Sequence, residues 1–104
     1  MAGQAYSDWE DDEIEATVTS YFALLDRDAV RGKQPRRPVF EALHRRFPER
    51  TIKAFEYKFQ NVSAALEELG EPRLEGFAPA RNTQQRLRQA VAELVEDRKR
   101  RQGS

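Results

Sequence analysis

The chain has 104 residues, no cysteine and one histidine; 38% of its residues are hydrophobic, 35% are charged, and the formal net charge is zero. This composition excludes a disulfide frame, a thiolate metal centre and a His-rich zinc site, and no apolar run approaches the roughly 18 residues of a membrane span. The length fits one small domain with a modest core. With no secretory signal at its start, the expectation is a cytoplasmic protein with no membrane partner.

Strand alternation is rare, whereas helical spacing recurs four times, so the expected fold class is all-α. Residues 1–8 read as a disordered tail. The first helix starts between Trp9 and Asp12, with Ser7 or Asp8 as cap, and ends near Asp28. Its acidic run Glu10–Glu13 suits a helix N-terminus better than a metal site, and Ile14, Val18, Tyr21, Phe22 and Leu25 share its inner face. A loop follows around Gly32 and Pro35. Pro38 opens the second helix as its first helical residue, with Phe40, Leu43, His44 and Phe47 facing inward. His44, with no nucleophile pattern around it, reads as a partly buried core residue.

The third helix is the most regular, from Arg50 to Leu69. Ile52, Phe55, Phe59, Val62, Leu66 and Leu69 repeat at steps of three and four, the spacing of a buried seam. Gly70 caps it and Pro72 prevents its continuation. An irregular connection containing Leu74 and Phe77 leads to a fourth helix, capped by Asn82 or Thr83 and running to about Arg98, with Leu87, Val91, Leu94 and Val95 inside. The basic end, residues 98–104, reads as a frayed tail or linker. One helical domain over 9–97 is therefore expected.

The zero net charge conceals segregation. Residues 1–26 hold seven acidic residues and no basic ones (−7), residues 27–58 ten basic against four acidic (+6), and the remainder eight against seven (+1). Either the basic middle forms an exposed face, or the acidic first helix packs beside it and the two fields cancel. The polar side of the third helix carries Lys53, Tyr57, Lys58, Gln60 and Asn61, with Arg50 and Thr51 at its start. Cations and hydroxyls of this kind hold phosphates, and Asn or Gln can pair with adenine. Asn61 and Gln60 have a second reading, as internal braces tying the following loop to the helix.

The order of elements adds a resemblance. Trp9 at the head of the first helix and the turn Pro48-Glu49-Arg50-Thr51 before "TIKAFEYK" resemble the Myb/SANT-like helix-turn-helix over about Trp9–Phe59, which implies that the third helix of this four-helix domain enters the major groove. The chain departs from that family in the greater length of its third helix and in Phe40, Phe47 and Phe59, where later core tryptophans are expected. A longer resemblance, over about Trp9–Val95, is to a small N-terminal helical domain of bacterial restriction and defence proteins, including HNH-type endonucleases, some modification-dependent. It is carried by Ile52, Phe55, Lys58, Gln60, Asn61, Ser63, Leu66, Leu69, Gly70, Pro72, Gly76, Phe77, Pro79, Asn82 and Gln84. The chain departs from that pattern at Phe59, where the family has His, and in the basic loop from Arg31 to Arg37.

The expected function is accordingly a DNA-binding accessory domain, not itself an enzyme, for an antiviral restriction nuclease carried on the same protein. Duplex DNA would meet Arg50, Thr51, Lys53, Tyr57, Lys58, Gln60 and Asn61, with Arg36, Arg37, Arg45, Arg46 and Arg81 on the backbone. No cofactor or metal is expected, and the state is a monomer or weak dimer. The alternative is a protein-interaction or dimerisation module built on the third and fourth helices.

Overall fold

The computed structural model describes residues 9–81 and 84–103. Four α-helices and no strand occur among them: α1 (Asp11–Arg31), α2 (Arg37–Arg46), α3 (Ile52–Glu68) and α4 (Gln85–Gln102). No described helix is long and apolar enough to cross a membrane.

Local chemistry sets each boundary. Glu13 reaches back to the backbone N–H of Glu10 (2.8 Å), satisfying a donor at the start of α1. Three acidic residues, Asp11, Asp12 and Glu13, occupy its first turn. Ser7 and Asp8, the expected caps, lie outside the described residues. α1 outruns the expected Asp28 by nearly a turn, to Gly32, whose φ of 82° ends it and whose N–H bonds the Asp28 carbonyl. Pro38 sits in the first turn of α2, one residue inside its start. The Thr51 hydroxyl accepts from Ala54 N–H (3.0 Å) and caps α3. At the far end, Gly70 at φ 70° lets Glu71 N–H bond back to the Leu66 carbonyl. The expected caps of α4, Asn82 and Thr83, also lie outside the described residues, and Gln84 immediately precedes the helix. The basic end expected to fray is helical through Gln102, with Arg98 bound to Asp26, Lys99 to Glu71 and Arg101 to Asp97.

The pairing of distant residues gives the topology. Trp9 packs on Phe55 and Tyr21 on Ser63, so α1 and α3 run parallel. Arg86 meets Asp11 and Arg98 meets Asp26, so α4 is parallel to α1 as well. α2 runs the other way, with Arg36 at the C-terminal end of α1 and Phe47 against Phe55 near the start of α3. Returning from the top of α3 to the bottom of α4 falls to an irregular strap, residues 71–81, laid antiparallel along α3. The strap takes the place that a second descending helix would hold in an up-and-down bundle.

α3 is the central element. From Lys58 to Leu66 all but Gln60 is buried, because α1, α2, α4 and the strap surround it. Phe59 is the hub: its ring lies 4.7 Å from Phe40, 5.1 Å from Tyr21 and 5.3 Å from Phe77, centroid to centroid. Such tilted and edge-on contacts add roughly 0.5–1.5 kcal/mol per pair to the area term. The six-residue seam is corrected at both ends: Ile52 is only partly buried, and Leu69 is 46% exposed. Leu69 follows the last helical residue, and the Gly70 turn begins there, so it lies beyond the surface that α3 packs.

Candidate nucleic-acid interface

Polar residues on α3 divide into an outer and an inner set. Lys53 and Tyr57 are exposed on its first turns. Lys58 and Asn61, placed by the sequence on the same outward face, are buried, at 6% and 1% exposure. The reason is the strap, which covers this side of the helix. The Asn61 side-chain N–H donates to the Ala80 carbonyl (2.7 Å), while Ala80 N–H donates to the Gln60 carbonyl (3.0 Å). Asn61 therefore occupies the internal brace position. Gln60 contributes its backbone to the same tie and keeps a partly exposed side chain. Two further polar ties hold the strap. The Tyr21 hydroxyl accepts from Leu74 N–H (2.8 Å) and shares a 2.7 Å hydrogen bond with Ser63. Lys58 Nζ donates to Gln84 Oε1 (2.9 Å).

Lys58 is an unusual tie, since its ammonium sits 4.9 Å from the Trp9 ring centroid and has no carboxylate partner among the described residues. Burial, with the nearby Arg50 charge second, lowers its pKa to about 8. The unfolded chain, with an ordinary lysine pKa of 10.5, binds more protons than the folded one between these values. Stability is therefore expected to rise as pH increases from 8 to 10, by about 2 kcal/mol. The gain is lost again as pH falls from 10 to 8, and below 8 both states hold the proton, so this group adds no further slope. Urea unfolding at a series of pH values should show this slope, and Lys58→Met should flatten it; an unchanged slope in the variant would assign it to another group.

The cations nominated as DNA contacts are divided in the same way. Arg50 forms two hydrogen bonds to the Glu13 carboxylate (Nε to Oε2 and Nη2 to Oε1, each 3.0 Å), with its guanidinium 4.5 Å from the Trp9 ring centroid. Arg36 is clamped by Asp28 at 2.8 Å and also donates to the Glu75 carbonyl, at 14% side-chain exposure. The Arg36 hydrogen bond holds the Asp28 carboxyl below its ordinary pKa. Thr51 is occupied as the cap of α3. Arg81 is exposed but pairs with Glu67. Arg50 and Arg36 thus leave the outer face because the acidic first helix lies beside the basic middle and neutralises part of it, the second of the two charge arrangements open from sequence.

What stays outside is a smaller set. Arg37 is exposed and pairs with Glu41 (2.9 Å, i to i+4). Arg45 and Lys53 are exposed without an ion pair among the described residues, and Arg46 is exposed with its guanidinium 5.0 Å from the Phe47 ring centroid. Arg45, Arg46 and Lys53 gather with Tyr57 where α2 turns into α3, while Arg37 stands at the other end of α2. His44 holds this turn from inside, its Nδ1–H donating to the Arg50 carbonyl at 2.6 Å. Of the cations of α2 nominated from the sequence as backbone contacts, Arg37, Arg45 and Arg46 are on the outside.

Other surfaces suit a polyanion less. A groove between α1 and α4 is lined by Asp11, Glu15, Glu93 and Asp97 against Arg86 and Arg100. Among the described residues, no group of three or more His, Asp or Glu side chains could hold a metal ion. The α3 seam residues Phe55, Phe59, Val62 and Leu66 lie at 0–1% exposure within one chain, which removes them from a dimer interface. No family model, curated protein or solved structure matches the chain.

Proposed function

We propose that the chain is a DNA-docking accessory module that holds the phosphate backbone of duplex DNA at the α2–α3 corner. The observation that carries this reading is the presence of Arg45, Arg46 and Lys53, exposed and without carboxylate partners among the described residues, on two helices joined by a short turn. Elsewhere Arg36, Arg50, Arg81, Arg86, Arg98, Lys99 and Arg101 are each paired with an acid. The start of α3 has no acidic residue in its first turn, so its dipole also favours a phosphate. Tyr57 adds an exposed hydroxyl. Glu49 and Glu56 share the corner and dilute its potential, so binding is expected to be modest and strongly salt-dependent. With Asn61 and Lys58 inside, the contact tracks the backbone and has few groups with which to read bases. The resemblance to restriction and defence proteins supports a nuclease domain as the activity this module serves.

Fluorescence anisotropy with a labelled duplex tests the reading. Wild-type protein should bind at low salt with little sequence preference. Replacing Arg45, Arg46 and Lys53 together by Gln should weaken binding about 100-fold, since three phosphate contacts are removed, while leaving the melting temperature nearly unchanged. Absence of wild-type binding at low salt would dismiss the proposal.

A further inference from the structure

The structure places a second group of exposed cations at the opposite end of α2. Arg27, Arg31 and Lys33 are exposed and have no ion pair among the described residues. Their position follows from the helical period of α1. Ala16 and Ser20 line a shallow cleft against Ala42 and Leu43 of α2. Arg27 and Arg31 follow them at steps of seven and four, so they continue the same stripe of α1 past the N-terminal end of α2. The Arg36–Asp28 clamp then folds the loop carrying Lys33 beside the first turn of α2, where Arg37 is exposed. The acids closest in sequence are neutralised, Asp26 by Arg98 and Asp28 by Arg36. Val30, 81% exposed, stands among these cations without a packing role.

We infer that this group and the α2–α3 corner form a two-ended phosphate clamp, with α2 laid across the major groove of duplex DNA. The inference rests on the proposed backbone-docking function and adds its geometry. Between Arg37 and Arg45 lie eight helical steps, about 12 Å at 1.5 Å each, which equals the roughly 12 Å width of the major groove. One group, Arg27, Arg31, Lys33 and Arg37, thus faces one phosphate strand. The other, Arg45, Arg46 and Lys53, faces the opposite strand. Glu41, the acid on this face of α2, lies one turn inside Arg37 and is bound to it, so Arg37 is not counted among the unpaired cations. A clamp of this span requires two strands at a fixed separation, which a single strand does not offer.

The test compares intact protein with Arg27→Gln/Arg31→Gln/Lys33→Gln, whose positions are exposed and leave the core untouched, and with the corner variant described above. Anisotropy is measured across a salt series on a labelled 20-base-pair duplex, on its single strand, and on vesicles of phosphatidylglycerol in phosphatidylcholine. Melting curves establish that each variant is folded. With about six unpaired cations engaged, the wild-type slope of log K against log salt should be about −5, and the Arg27/Arg31/Lys33 variant should make it shallower by about 3 units with at least about a tenfold loss of affinity. Duplex should be preferred over single strand, and this preference should diminish in the variant. An unchanged slope and affinity in this variant, while the corner variant loses binding, would overturn the clamp and leave the corner reading standing. So would equal binding of single strand and duplex, or loss of vesicle binding with duplex binding intact. Failure of the wild-type protein to bind duplex at low salt would overturn both.

Discussion

Asn61→Ala is expected to destabilise the domain by about 3 kcal/mol and to lower its melting temperature by roughly 15 °C, with DNA affinity per folded molecule unchanged. The side chain is 1% exposed and supplies the hydrogen bond to the Ala80 carbonyl at 2.7 Å. Removing it leaves that carbonyl without its side-chain donor and opens a small void beneath the strap. The unsatisfied group alone costs roughly 1–3 kcal/mol. Asn61→Leu separates the two terms: it keeps most of the volume but still strands the carbonyl, so it should recover less than half of the loss. Ala80 N–H retains its bond to the Gln60 carbonyl in both variants, so the strap should loosen at this point without detaching. Thermal denaturation with anisotropy on the refolded fraction measures both quantities. A variant of normal stability with altered base preference would return Asn61 to a reading role.

The residues that carry the longer family resemblance acquire a physical meaning from this brace. Lys58, Asn61 and Ser63 lie on the buried side of α3, and each is tied directly or through Tyr21 to the strap or to its exit at Gln84. Gly70 and Gly76 have φ of 70° and 97°, and the bends they allow turn the chain back along α3. Phe77 plugs the core against Phe40 and Phe59. In this chain the pattern is the specification of a helix with a strap laid along it. A surface that contacts a ligand would be specified by a different set, one facing outward.

This explains which parts of the molecule were legible in the sequence. The four helices were, because their apolar residues recur at three and four and Gly70 marks the end of the third, whereas the roles of Glu13, Gly32 and Thr51 at helix ends emerge only in the structure. The partition of the polar side of α3 was not. Helical period shows that Lys53, Tyr57, Lys58, Gln60 and Asn61 lie off the apolar seam, but it does not show that a non-helical segment will cover the side that carries Asn61. The strap has no period of its own, and its backbone finds partners in side chains 19 to 53 residues away in sequence. The same holds for charge. The run of cations from Arg27 to Lys58 is visible as composition, whereas the withdrawal of Arg36 and Arg50 from the surface depends on where Asp28 and Glu13 stand in three dimensions. Arg45, Arg46 and Lys53 remain outside, and Arg46 shares the cleft between α1 and α2 with Asp12 and Glu15 without forming an ion pair to either.

Glu13→Ala is the substitution expected to cost most, about 4 kcal/mol, because it strikes a charge network and a helix start together. Glu13 receives two hydrogen bonds from Arg50 and one from Glu10 N–H. Without it, a guanidinium with 18% side-chain exposure remains against Trp9, beside the buried ammonium of Lys58 and with its carboxylate partner gone. Breaking a buried pair from one side costs roughly 3–5 kcal/mol, and the cap adds up to about 1 kcal/mol where the pair is partly hydrated. Glu13→Gln keeps the cap and one neutral acceptor, so it should lose about half as much. Combining Glu13→Gln with Arg50→Met removes the uncompensated cation and should recover stability relative to Glu13→Ala, since an apolar replacement of both partners is far less costly than one orphaned charge. The pH dependence has a determined sign. Burial pushes the Glu13 carboxyl up, but the hydrogen bonds and charge of Arg50 with the Glu10 N–H outweigh it and hold the pKa below 4.5. The stability that this group contributes is fully present above pH 4.5 and is lost as pH falls through the lower, folded-state value. Urea titrations between pH 3 and 6 should therefore show wild-type stability falling toward the acid end, with a smaller fall in Glu13→Gln. An equal fall in both would place the acid-sensitive charge elsewhere, and an intact melting temperature in Glu13→Ala would mean that the Glu13–Arg50 pair contributes little to stability.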